Sequence, residues 1–415
     1  MKIWLINPYG PIPEESWREY SYAMMGRALA DAGHEVVWWT SNFSHHFKKF
    51  RSSGWKDIQI DSRFTVRLVP TTGYQRNVGF GRIWRDWVFS LRTFWRGRKL
   101  PAPDCIVYSE SPLTLGFAGQ KLAAAFGCPV IYHQMDLWPE LIVNAFPERW
   151  RKLVSLIFLP VYRSRQSIYR RLDAATGLAA PYLDVVLREA PGLRQRPHQV
   201  VYNGIDVAAF RRSMAQAENL PVSLPEKRIG DLWAVFAGSL GPSYDIPTLC
   251  DVAELLEGSS CPLHIIIAGD GPYRSTLQQR ASRPENTRLH YVGQLAPHQL
   301  ACLYKACDIG LCAYSSRSNV EMPDKIYDYT AAGLPVINSL RGEVSDVIAR
   351  NRIGLQYLAG DVGDLHDKLL AMAANRQALL STAERSRETG AEYDQHVQYA
   401  KMTRLVEQVV SMSKR

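Results

Sequence analysis

Short apolar runs alternate with segments of helical periodicity along most of the chain. Lys2 to Asn7 is the first run; a Pro- and Gly-containing loop follows, then apolar residues at helical spacing from about Trp17 to Ala32, then a second run, Glu35 to Thr40. Ala32-Gly33-His34 marks the end of that helix. Runs with no polar face, separated by helices, predict parallel strands covered on both sides. Further strands are expected at Cys105–Tyr108, Val130–His133, Ala174–Leu178 and Gln199–Tyr202. After Asn203-Gly204 comes a polar, proline-containing segment to about Gly230, and the rhythm then restarts. Leu232–Ala237, Leu263–Ala268, Leu289–Val292, Ile309–Ala313 and Leu334–Asn338 fit strands, again with helices between. The expected class is α/β, with two parallel-sheet domains at 1–205 and 206–394 and a closing helix, 395–415, that returns to the first.

A chain of 415 residues, 46% hydrophobic and 21% charged, is long enough for two cores. It holds no uninterrupted apolar stretch of about 20 residues, and it enters its first strand without the apolar core of a signal peptide, so neither export nor membrane spanning is expected. Seven cysteines without a CxxC spacing read as reduced, buried thiols of a cytosolic protein rather than a zinc site. Charge is uneven: residues 1–200 carry 27 Lys and Arg against 16 Asp and Glu, whereas 201–415 carry 22 against 24. The first half is therefore the one expected to meet an anionic surface or acceptor. Arg76 to Lys99 interleaves seven basic residues with Trp84, Trp87, Phe89, Phe94 and Trp95, and Glu148 to Arg171 repeats the style. This pattern predicts interfacial helices on anionic lipid, with electrostatic attraction leading. A core-packing helix with solvated arginines is the plainer alternative. Nucleic acid is a third, but no nucleic-acid module accompanies the pattern.

Candidate chemistry gathers at predicted strand ends. Gly238 and Ser239 follow one strand; Gly269, Asp270, Gly271 and Pro272 follow the next. Ligands of open α/β sheets bind beyond the carboxyl ends of the strands, where glycine loops let backbone amides reach phosphate. The same glycines could simply make tight turns. In EMPDKIYDYTAAGLPVI, Glu321 to Ile337, Pro323 suits a helix start that attracts an anion, Lys325 adds a mobile positive charge, and Asp328 stands one turn further on. Phosphate at the helix start and ribose hydroxyls on Asp328 match a nucleotide lying across the helix end. The alternative is a solvated charged face.

The ordered set VVYNGIDVAAF, FAGSL, HIIIAGDGPY, RLHYVGQL, LACLYKACDIGLCAY and MPDKIYDYTAAGLPVI resembles the C-terminal half of glycosyltransferase family 4, with GHEVVWWT and MDLWPE extending the likeness into the first half. The Asp136–Glu140 string, DLWPE, is similar to a branch that builds capsule, O-antigen and other surface polysaccharides. The resemblance implies the GT-B fold, two Rossmann-like domains facing a central cleft, and retaining transfer without metal or other cofactor from a nucleoside-diphosphate sugar, UDP ahead of GDP. It implies a lipid-linked saccharide acceptor and a cytoplasmic enzyme peripheral on the inner face of the cell membrane, touching an anionic membrane surface and no nucleic acid. Asp328 stands where the family has the second Glu of its Glu-x7-Glu motif, and the first falls at Val320. Glu321, one place off, or backbone amides from Asn319 onward must then serve the donor sugar. The family's basic pair is missing from Ser239 to Ile246, which leaves Lys325 and its helix terminus to hold the diphosphate, with Ser239 and Gly241 offering backbone contacts. His133 and Asp136 are the candidate base or proton relay toward the acceptor, and Glu14, Glu15 and Arg18 could meet it. Two other functions fit the architecture: a non-hydrolysing nucleotide-sugar epimerase, and a nucleotide-sugar-binding protein without catalysis.

Overall fold

A computed structural model describes residues 1–15, 21–75, 79–216 and 224–414; Trp17, Arg18 and Arg76 lie outside the described residues. The chain divides into two units, Met1–Asn203 with His396–Arg415 and Gly204–Gln395. The first holds β1 Lys2–Ile6, β2 Glu35–Ser41, β3 Lys56–Gln59, β4 Phe64–Val69, β5 Cys105–Ser109, β6 Val130–Gln134, β7 Ala174–Gly177 and β8 His198–Val200. Their order across the sheet is β3-β4-β2-β1-β5-β6-β7-β8, parallel except for β3 against β4. That edge hairpin is absent from the sequence reading: three of the four side chains of β3 are exposed, so it has no apolar run.

The strands of the middle are buried on both faces, which is why they read as continuous apolar runs. One face, with Ile3, Leu5, Val36 and Val107, packs against the helix Ser21–Asp31 and the terminal helix Gln395–Ser413, which contributes Tyr399, Met402, Val406, Val409 and Val410. Each such fully buried side chain contributes about 1.5–3 kcal/mol of transfer free energy. On the other face Trp4, Ile6, Trp39 and Tyr108 meet the helices Phe80–Gly97, Leu115–Phe126 and Ala180–Glu189.

The second unit is wholly parallel: β9 Leu232–Ala237, β10 Leu263–Ala268, β11 Leu289–Gly293, β12 Ile309–Cys312, β13 Val336–Asn338 and β14 Gly354–Gln356, in the order β11-β10-β9-β12-β13-β14. The unforeseen β14 is three residues long and partly exposed, too short for a periodic signal.

The helix Phe80–Gly97 corrects one expectation. Its inward residues are Arg85, Asp86, Phe89, Ser90, Thr93 and Gly97, and its tryptophans face outward. Arg85 is fully buried because Asp86 pairs with it at 3.1 Å and the Tyr9 ring lies 4.5 Å from its guanidinium. Arg82 donates to the Tyr9 hydroxyl at 2.9 Å. Arg85 is closed off from a lipid headgroup, and Arg82 is partly buried against Tyr9.

Candidate active site

In the second unit, the carboxyl ends of β9 and β10 lie side by side. Gly238 and Gly269 follow them at φ 148° and 144°. A Cβ on Gly269 would stand 1.8 Å from the Gly238 carbonyl oxygen, so the two loops run backbone against backbone. The Gly238 amide donates to Ala268 (3.0 Å), that of Gly269 to Gly293 (2.8 Å) and that of Leu240 to Asp270 (2.9 Å). The glycine amides are thus spent within the protein. Those of Ser239 and Gly241 take part in no hydrogen bond among the described residues, so they can meet an anion. Asp270 is exposed; its carboxylate accepts from the Gly271 amide at 2.9 Å and lies 3.7 Å from Arg274, with exposed Pro272 beside it.

Lys325 lies against Gly238, where a Cβ would come within 2.6 Å of its Nζ. The ammonium sits 4.3 Å from the Tyr244 ring centroid, 4.8 Å from Phe236 and 5.1 Å from Tyr314, and the residue is 7% exposed. A desolvated cation on an aromatic face gains about 2 kcal/mol. The lysine expected to be mobile is therefore held in place. Asp328, equally buried, follows one turn on, and both charges act on Cys312, whose thiol burial pushes up to about 12.

Their helix, Asp324–Ala332, starts after Pro323 and ends at left-handed Gly333. Every residue from Lys325 onward is buried, and the Tyr329 hydroxyl, 3.1 Å from the Val235 carbonyl and 3.2 Å from that of Leu311, ties it to β9 and β12. The run of charge in this segment is thus an interior feature and not a solvated face.

Glu321 has another occupation. Its Oε2 accepts the Glu343 amide at 3.0 Å and so caps the helix Glu343–Asn351. Burial raises its carboxyl above the usual range, and Glu343 and Asp346 add to the rise. The side chain expected at the donor sugar is engaged in the fold, while Asn319 and Val320 lie on an exposed loop.

In the first unit, His133 in β6 is fully buried. Its Nδ1 lies 2.7 Å from the Thr176 hydroxyl and its Nε2 3.1 Å from that of Ser21, and burial pushes its pKa down to about 3. Both nitrogens are satisfied by neutral hydroxyls, which corrects the expectation that this histidine faces an acceptor. Asp136 behaves differently: solvent reaches it, yet surrounding protein raises its carboxyl to about 6, with Arg82 pulling the other way. It does not cap the following helix, Glu140–Ala145, whose N-cap is Pro139.

Behind Asp136 stands an acid that the sequence reading missed. Glu110, 1% exposed at the end of β5, accepts the amides of Met135 (2.8 Å) and Asp136 (3.1 Å) on its two carboxylate oxygens. Burial raises its pKa well above the carboxylate range, and the Asp136 charge adds to the rise. The two acids titrate as a pair that retains a proton far above ordinary carboxylates. The available signal was an acid directly after a predicted strand. Within DLWPE, Glu140 is structural: buried Arg165 binds it at 2.6 Å, and also binds Glu189 and the Trp138 carbonyl. Glu15 is likewise engaged, with Arg51 at 2.8 Å, so it is not open to an acceptor.

Residues 19–209 match the family described as Glycosyltransferase Family 4, and residues 232–375 match Glycosyl transferases group 1. An Alpha-monoglucosyldiacylglycerol synthase of Streptococcus pneumoniae is 27% identical over 164 residues, 38% of this chain and 36% of that protein. The curated relatives that the chain matches are aligned over about half of their length or less. Among solved structures, Anabaena Alr3699/HepE in complex with UDP has a TM-score of 0.68 at 14% identity, covering 98% of this chain and 100% of that one. WaaG, a glycosyltransferase involved in lipopolysaccharide biosynthesis, has a TM-score of 0.61 at 14% identity, covering 98% and 99%. These likenesses show the fold. The two parts of the chain thus match a Glycosyltransferase Family 4 model and a Glycosyl transferases group 1 model, and the likeness to solved structures gives the chain the GT-B fold.

Proposed function

We propose that the protein transfers a sugar from a nucleoside-diphosphate sugar, UDP rather than GDP, to a lipid-linked saccharide in surface polysaccharide synthesis, working on the inner face of the cell membrane. The observation that carries this reading is the Lys325 ammonium, held by three rings at the carboxyl end of β9, with Asp328 one turn further on. A fixed cation can neutralise a departing diphosphate at no reorganisation cost, and a buried carboxylate can accept from ribose hydroxyls. The amides of Ser239 and Gly241 add donors beside the cation. Retention and independence from metal are proposed from the family likeness. With the basic pair missing, Lys325 and the helix terminus carry the leaving-group charge. UDP is favoured because a protein of the same fold is known in complex with UDP. A lipid-borne acceptor is favoured by the name of the diacylglycerol-glucoside relative. On the acceptor side, Asp136 supplies the base, positioned by Glu110.

The test is incubation of the full chain with labelled nucleotide sugars, with and without a lipid-linked saccharide and with and without chelator. Acceptor-dependent, chelator-resistant transfer is the expected result. Acceptor-free isomerisation would assign an epimerase instead, binding without turnover an inactive reader, and loss of activity in chelator would overturn the metal-free mechanism.

A further inference from the structure

The helix Phe80–Gly97 has its faces exchanged: charge lies inward and the apolar ridge outward. Phe80, Ile83, Trp84, Trp87, Leu91 and Trp95 recur every three or four residues along one side and are 38–78% exposed. The helix Glu148–Ile157 adds Trp150, Leu153, Leu156 and Ile157, 49–70% exposed. A groove of about 930 Å³, lined by Trp87, Phe117, Pro160, Val161 and Ile168, links the first ridge to the helix that follows the second. An apolar surface of this extent on a water-soluble fold marks a binding face.

Charge identifies what covers it. The exposed ionised residues of these two helices and the turn after the first are Arg92, Arg96, Arg98, Lys99, Arg149 and Lys152, against the single acid Glu148. A second copy would set cations against cations, whereas an anionic bilayer offers both hydrocarbon and opposite charge. Tryptophans suit the headgroup boundary, where an apolar ring and a polar N–H are both satisfied.

We propose that this face docks on a lipid bilayer by insertion: the Phe80–Trp95 ridge and Leu153–Ile157 enter the boundary of the hydrocarbon, and the surrounding arginines and lysines meet anionic headgroups. The proposal rests on the lipid-linked acceptor reading above but changes the force expected from the sequence. Arg82 and Arg85 are engaged inward, so apolar contact leads and charge assists.

The test is flotation of the full chain with phosphatidylcholine vesicles and with vesicles containing phosphatidylglycerol, at 0.1 M and 1 M salt. Binding to both kinds, a blue shift of tryptophan emission and quenching by brominated lipid are expected. The combined Trp84→Ser, Trp87→Ser and Trp95→Ser variant should lower partition more than tenfold on both vesicles, while Arg92→Ser with Arg96→Ser lowers it a few-fold, and only on anionic ones. Should the triple variant fold poorly, Leu156→Glu with Ile157→Glu must produce the same loss at an unchanged melting temperature. Wild-type partition by the folded variants, absence of quenching, or a dimer that shields the tryptophans before lipid is added would overturn the proposal. Insertion without transfer to a lipid acceptor would sink the acceptor reading and leave this one standing; transfer without insertion would do the reverse.

Discussion

The carboxyl ends of the two parallel sheets are built for opposite charges. The first unit gathers acids: Glu110 sits buried behind solvent-reached Asp136, and the surrounding protein raises both carboxyl groups. The second gathers a cation, Lys325, against three aromatic rings and a glycine. The scaffold is shared; what differs is how each unit accommodates an ion out of water. The acids do so by retaining a proton, which makes their charge depend on pH. The lysine lies against π-faces, which hold its ammonium in a fixed place. A titrating end suits proton transfer, and a fixed end suits charge that grows on a leaving group.

The largest expected effect is at the titrating end. Asp136→Asn should cut turnover by about 10²–10⁴-fold, the range for a lost acid–base group. In the wild type, activity should fall as pH drops through about 6, where Asp136 becomes protonated. Glu110 keeps its proton through this range, so Glu110→Gln should leave the acidic limb near 6 and lower turnover only by loosening its hold on the Met135 and Asp136 amides. Full turnover in the Asn variant, or a wild-type profile with no acidic limb near 6, would break the contrast between the two ends.

At the fixed end, Lys325→Met should lower kcat by about 10²–10³-fold, the scale of one lost electrostatic stabiliser, with a smaller change in nucleotide affinity measured by calorimetry. Equal turnover would reduce the lysine to a packing element. Asp328→Ala should weaken nucleotide binding by about 1.5–3 kcal/mol, the range for hydrogen bonds to a charged group. Unchanged affinity in a folded variant would remove Asp328 from the ribose assignment.

What the sequence reveals of this arrangement follows from burial. Strands buried on both faces leave continuous apolar runs, so β1, β9 and β10 are legible, whereas the edge hairpin β3–β4 and the three-residue β14 leave no such run. Lys325 and Asp328 are visible because charge interrupts an otherwise apolar helix. Glu110 belongs to no motif, and its role comes from hydrogen bonds to residues 25 and 26 positions away. The aromatic rings around Lys325 come from three separate segments, and no spacing rule joins Phe236, Tyr244 and Tyr314. The inverted helix 80–97 has the alternation expected of an interfacial helix, but periodicity alone does not say which stripe faces in.

The smallest effect concerns His133, which tests whether the acidic end works without a histidine. With both ring nitrogens bound to hydroxyls in the core, His133→Gln should change turnover by less than about threefold, because no proton passes through a group satisfied on both sides. Its signature should lie in stability. Burial holds its pKa near 3 in the folded protein, against an ordinary value of 6.5. The unfolded chain therefore binds one more proton between those values, and stability attributable to this residue is lost as pH falls from about 6.5 toward 3. Denaturant titrations between pH 4 and 6 should show the variant losing stability less steeply than the wild type, by up to about 1.4 kcal/mol per pH unit. His45 and His290, held near 3 and 4 by burial, keep a residual slope in both proteins. A hundredfold loss of turnover in a well-folded variant, with the pH slope unchanged, would return the histidine to the reaction and leave the Glu110–Asp136 pair as its support.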